Sequence, residues 1–380
     1  MTSTVEPVGP LQFFFFLAMS IVTGGIFIWP QAVLSTAGNN ALWAIIGSIM
    51  LALAITSALF IWMELTSSGI FVERLQQTWG FLVWPWMLIY TLLRMAIDTA
   101  LITLFAYMLT TIFYPFTPLW VLKLVILLEA GWFGGRQLTI LSRNIQFWFP
   151  VLALTFFFLA ALTIPNAETL WALWPSTHVI LTPLMQAIIG TWFLWTQNDV
   201  FVTISHFVRP QKARLIRKLA MSAIIFQTIV ILIIYLIAVG TIGPEAVMSL
   251  RWPLVYVLSN LSSHTFYLSR PGLIILLTWT GGVVFYSAAH FFCLSINLSQ
   301  LVTKSFHWAP QISWATAAIE FLASFLLPTP SRASHFVLSV FDPVDLSFTS
   351  LMFILSILIR LFVVRRRRSG NTRKKRSVHS

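Results

Sequence analysis

Thr23-Gly24-Gly25-Ile26-Phe27-Ile28-Trp29-Pro30 lies within an apolar window of about 11–37, long enough to cross a bilayer as a helix. The stretch nevertheless contains the two residue types that a helix tolerates least. Glycine weakens the helix, and proline deletes one of its backbone bonds. A break of this kind at mid-membrane frees N–H and C=O groups that can hold a carboxylate, an amine or an ion. The alternative is a proline kink, with glycines placed for close helix packing.

The rest of the chain says that the surroundings are lipid. Of 380 residues, 58% are hydrophobic and 9% charged, with a mean hydropathy of +0.87. Soluble domains carry about 25% charged residues. Backbone polar groups in hydrocarbon must be bonded internally, and continuous rather than alternating apolar runs make these segments helices. Further windows fall at about 41–63, 81–111, 118–136, 143–164, 181–207, 215–240, 272–303, 309–327 and 342–364. They predict an all-α integral membrane protein with ten transmembrane helices in a single domain over about 1–364, then a basic tail over about 365–380.

The net charge of +12 is topological rather than a nucleic-acid footprint, because eight of the 23 Lys and Arg lie between Arg365 and Arg376, just after the last apolar run. That placement puts both termini in the cytoplasm. The loops agree. The cytoplasmic ones hold nine basic residues (Arg74, Arg136, Arg143, Arg209, Lys212, Arg214, Arg217, Lys218, Lys304), against three outside (Arg251, Arg270, Arg332). The longest external connection, 241–271, has room for a short surface helix. One cysteine, Cys293, rules out a disulfide framework, and the scattered histidines have no metal-ligand spacing. No metal or cofactor is expected. Without a Walker loop, a dinucleotide turn or a nucleophile motif, enzyme activity is not expected either.

The sixth window carries the second irregularity. Gly190-Thr191-Trp192-Phe193-Leu194-Trp195-Thr196-Gln197-Asn198-Asp199 places four consecutive polar residues inside an apolar run. Such groups must face the bundle interior or a cavity, either as a ligand site or as interhelical hydrogen bonds. Interruptions in helices one and six, which start on opposite sides, are what a five-plus-five inverted repeat with a central site requires.

Other polar residues at depth are fewer. Arg94 and Asp98, spaced i to i+4, share a face and read either as a structural clasp or as proton or ligand contacts. In the fourth window Lys123 is expected to snorkel outward, leaving Glu129 as the buried contact. Asp98, Glu129 and Asp199 are possible proton or ion contacts. In the eighth, Trp279-Thr280-Gly281-Gly282, Tyr286, His290 and Asn297 form a polar stripe facing protein.

Val22-Thr23-Gly24-Gly25-Ile26-Phe27, followed by Pro30, resembles the first-helix motif of the amino acid-polyamine-organocation superfamily, with Thr23 where its first glycine stands. Within that superfamily the chain looks most like the spore-germination permeases, the B subunits of endospore germinant receptors. The supports are Thr117-Pro118 opening the fourth helix, Arg143 before Phe149-Pro150, Trp174-Pro175 before the sixth, and ten short-looped helices. The resemblance implies an APC-type (LeuT-like) fold in the inner membrane of a spore. It also implies assembly with an A-type membrane subunit and a C-type lipoprotein, and a pocket for a small nutrient such as an amino acid. By position, Thr23, Gly24 and Gly25 would present backbone to that ligand, with Trp195, Thr196, Gln197 and Asn198 facing it from helix six and Thr280 from helix eight. The competing reading is a proton- or sodium-coupled amino acid transporter.

Overall fold

The computed structural model describes residues 5–21, 24–164, 167–196, 198–260 and 272–376. The first window is split: α1 (Pro10–Ile21) is followed by a tight 3-10 turn over Gly24–Phe27 and then α2 (Trp29–Ala37). Pro30 sits in the first turn of α2, where its missing N–H costs no intrahelical bond, so it opens the second half-helix instead of kinking one long helix. The first half of the chain continues with α3 (Ala41–Leu65), the short α4 (Phe71–Trp79), α5 (Val83–Ile112), α6 (Leu119–Gly134) and α7 (Leu138–Thr163).

The second half repeats this order. The sixth window divides into α8 (Leu181–Ile189), a 3-10 turn over Trp192–Trp195 and α9 (Asn198–Ser205). Then come α10 (Ala213–Ser249), the short α11 (Pro253–Asn260), α12 (Gly272–Thr303), α13 (Ala309–Ala323), α14 (Pro330–His335) and α15 (Asp342–Arg376). The halves match element by element. Each opens with a broken span and places a short helix between its second and third spans. Each also has a short fourth span, of 16 residues in α6 and 15 in α13.

This explains why, among the described residues, six helical stretches are long and apolar enough to cross alone. Among the described residues the other four of the ten spans are the two broken ones and the two short ones. The outward faces are apolar, with Met50, Leu88, Leu92, Leu154 and Phe362 more than half exposed to what is lipid in an integral membrane protein.

Hydrogen bonds locate the two ends of the bundle. The Val8 N–H donates to Phe207 O at 3.0 Å, and Arg360 Nε donates to Leu65 O at 2.9 Å, so the N-terminal segment and α15 meet the same end. At the other end Asn40 Nδ2 donates to His178 O at 3.0 Å and Arg251 Nη2 to Ser331 Oγ at 3.1 Å.

The eighth span is the axis of the molecule: 89% of its apolar window is buried, against 22% for the tenth. In lipid the hydrophobic effect does not drive helices together, and close approach depends on small residues. Gly134 of α6 supplies one such contact, since a Cβ there would lie 2.6 Å from Phe291 Cβ of α12. Ser313 Oγ of α13 adds a 3.0 Å bond to Gly131 O.

Two expectations change. The short helix in the 241–271 connection exists as α11, but its Leu254, Val255, Val257 and Leu258 are buried. It packs on α2, α12 and the Gly24–Phe27 turn as a cap, not a surface float. Residues 261–271 lie outside the described residues. The tenth span starts at Pro330, not near 342, and passes through a π-helical turn over Phe336–Phe341 before α15. Asp342 and Asp345, at the start of the 342–364 window, are both fully buried within the span. Beyond 364 the helix continues to Arg376.

Candidate functional site

The two broken spans meet at Gly25. A Cβ built there would fall 2.1 Å from Cε2 of Phe193 and 3.0 Å from Cδ2 of Leu101, so only glycine admits the Phe193 ring against the first break. Phe27 closes the same region from the next turn, its ring 5.3 Å from Trp279 of α12 and 6.2 Å from Phe105 of α5. At the end away from the chain termini, a vestibule of about 250 Å³ is lined by Ile28, Gln31, Leu104, Trp252 and Ser334.

The carbonyls exposed by the sixth-span break are taken by side chains of neighbouring helices. Gln227 Nε2 of α10 donates to Leu194 O. Arg94 Nη1 of α5 donates to Thr196 O at 2.6 Å, while its Nη2 pairs with Asp345. The second Asp345 oxygen accepts from Trp192 Nε1 at 2.8 Å. Of the two readings of Arg94 and Asp98, the clasp between them is not made: the guanidinium turns to a residue 251 positions away in sequence.

Asp98 belongs to a second group. It faces Tyr286, His290 and Arg94, and Asp199 faces His290, Arg94 and Tyr90. His290 Nδ1 stands 3.6 Å from Asp199 Oδ2, and the Tyr286 and His290 rings are 4.5 Å apart. The carboxyl oxygens of Asp98, Asp199, Glu320 and Asp342 are buried with no hydrogen bond of normal geometry. Carboxyl groups buried at this depth are candidate ion or proton contacts. Among the described residues no three His, Cys, Asp or Glu side chains converge as metal ligands.

The other expected site residues are distributed unevenly. Gly24 lies in the first-span turn beside Gly25. Trp195 and Asn198 line a small cleft of about 50 Å³ between α1, α3, α9 and α10, with Thr56 and Gln227. The Thr196 hydroxyl bonds Phe193 O at 3.2 Å, within its own turn. Thr280 returns its hydroxyl to Leu276 O at 3.3 Å. Glu129 is on the exposed face of α6, away from both groups, whereas Lys123 is the buried residue and donates to Ser324 O at 2.9 Å. Thr23 and Gln197 lie outside the described residues. Asn297, part of the eighth-span stripe, ties α12 to Val72 N–H and Thr203 Oγ1, both at 2.8 Å.

Asp342, Asp345, Glu320, Gln227 and Tyr90 were not expected. For the aspartates a signal existed: Phe336-Val-Leu-Ser-Val-Phe341 precedes them and apolar residues follow, so they interrupt a run instead of bounding it.

The family model for spore germination proteins matches residues 7–332. The chain belongs to that family. Comparison with curated proteins finds no match. Among solved structures this family member is similar to Mhp1, a nucleobase-cation-symport-1 family transporter in a closed conformation with bromovinylhydantoin bound. The TM-score is 0.61 at 13% identity, covering 96% of this chain and 94% of that one. It is also similar to the Eremococcus coleocola manganese transporter, with TM-score 0.57 and 15% identity over 94% of this chain and 81% of that one. These likenesses show a shared fold, in keeping with the five-plus-five repeat with broken first and sixth spans.

Proposed function

We propose that this permease-type membrane protein is the B-type subunit of a nutrient germinant receptor. It binds a small nutrient such as an amino acid where the two broken spans meet, and binding triggers germination. The observation that carries this reading is the apposition of the Gly24–Phe27 and Trp192–Trp195 turns through Gly25 and Phe193 in a spore germination family chain. Backbone polar groups at helix breaks suit the carboxylate and amine of an amino acid. Access is from the vestibule lined by Ile28 and Leu104, and Phe193 must swing away from Gly25 for the ligand to enter. On this reading the chain sits in the inner membrane of a spore with both termini cytoplasmic and works with an A-type membrane subunit and a C-type lipoprotein. In a strain lacking paralogues, deletion of the gene abolishes germination by at least one nutrient; unchanged germination with every nutrient tested sinks the proposal.

A second reading, proton-coupled uptake of the same ligand, is favoured by Asp98 and Asp199, buried carboxyl groups facing Tyr286, His290 and Tyr90. Reconstituted vesicles that accumulate an amino acid under a proton gradient, with uptake abolished by Asp199→Asn beside His290, decide for transport. Binding without accumulation decides for the receptor.

A further inference from the structure

At the sixth-span break the Thr196 carbonyl and the Asp345 carboxylate converge. A backbone carbonyl and a carboxylate are the oxygen ligands that hold hard cations, and unwound carbonyls at helix breaks serve this purpose in transporters. Both oxygens are engaged here by one side chain: Arg94 Nη1 reaches Thr196 O at 2.6 Å and Nη2 pairs with Asp345. Two rings flank the guanidinium, with its central carbon 5.3 Å from the Tyr90 centroid and 5.6 Å from that of Phe341, an arrangement that favours a cation. Trp192 Nε1, at 2.8 Å, holds the second Asp345 oxygen in place. Arg94 is 2% exposed and Asp345 fully buried, so bulk solvent does not compete for either.

We propose that Arg94 is a tethered cation, filling from α5 the position at the sixth-span break where a dissociable ion would otherwise be bound. The guanidinium is charged at every accessible pH and cannot leave. This position at the break is therefore independent of sodium or any other exchangeable metal cation. Removing the guanidinium leaves an anionic, carbonyl-lined cavity shaped for a planar cation. This inference rests on the proposed function only in treating the break as the ligand region, and its test uses no nutrient.

The experiment follows thermal unfolding of the purified full-length protein in detergent, comparing sodium chloride with choline chloride at equal ionic strength, and then adding low concentrations of guanidinium chloride. The wild-type midpoint is the same in sodium and choline and does not rise with guanidinium. Arg94→Ala unfolds several degrees lower and recovers part of that loss, saturably, with guanidinium. Asp345→Asn in the same background removes the recovery. If Arg94→Ala does not fold, Arg94→Gln, which is shorter and neutral but keeps a polar N–H donor in the buried position, replaces it. Sodium stabilisation of the wild type overturns the proposal, as does an Arg94 variant that folds yet is indifferent to added guanidinium. If neither variant folds, the wild-type comparison decides: equality in sodium and choline supports a filled site. A failed germination phenotype leaves these outcomes unaltered, so the two proposals fail separately.

Discussion

The Phe193 ring occupies the space that a side chain at Gly25 would need: a Cβ there would lie 2.1 Å from its Cε2 atom. One aromatic ring thus seals the junction of the two broken spans, and the glycine exists for the contact. Gly25→Ala forces the ring to move and costs about 1–3 kcal/mol, the usual range for overpacking. Phe193→Ala restores the space, so the double variant is more stable than the sum of the singles by about 0.5–3 kcal/mol, read from unfolding midpoints in detergent. Strict additivity contradicts the contact.

The Arg94–Asp345 pair predicts a pattern of its own. Asp345→Asn leaves a buried guanidinium without its anion and costs about 3–5 kcal/mol, whereas the double variant Arg94→Gln/Asp345→Asn buries no charge and recovers much of that loss. Chemical or thermal unfolding of the three variants checks this. Equal destabilisation of single and double variants is inconsistent with a paired charge.

Gly134 tests how the fourth and eighth spans cross. An added Cβ would sit 2.6 Å from Phe291 Cβ and 3.1 Å from the Ala288 carbonyl, so the clash involves backbone and cannot be relieved by rotating a side chain. Gly134→Ala is expected to lower stability by about 1–3 kcal/mol. Gly38→Ala, where nothing lies within 4 Å of the built Cβ but φ is 55°, isolates the cost of a left-handed backbone for comparison.

Glu129 and Asp199 form a matched test of depth. Glu129→Gln changes an exposed residue of α6 and alters stability by less than about 0.5 kcal/mol, with nutrient response unchanged. Asp199→Asn changes a residue 1% exposed beside His290 and reduces the response. Germination rates of the two strains check this directly, and an equal effect of both substitutions refutes the division between the face and the interior.

The breaks of the first and sixth spans were legible in the sequence because Gly24-Gly25, Pro30 and the polar run after Trp195 violate helix chemistry locally. The ten spans followed from hydropathy. The electrostatic partners were not legible for two reasons. Arg94 and Asp345 are 251 positions apart, and a local i to i+4 rule supplies Asp98 as the partner instead. The apolar window at 342–364 also opens on Asp342, which left Asp342 and Asp345 at its start instead of inside the tenth span. Lys123 and Glu129 exchanged expected roles because periodicity places them on different faces of α6 without saying which face meets α13.

The central claim is that the junction of the two broken spans receives the nutrient. It is tested most directly by nutrient-triggered germination in a strain whose only receptor of this type carries Gly25→Val, with the subunit's membrane level measured alongside. The account predicts a subunit present in the membrane and spores that respond to no nutrient that triggers the wild type. Spores that contain the variant and germinate at the wild-type rate contradict it.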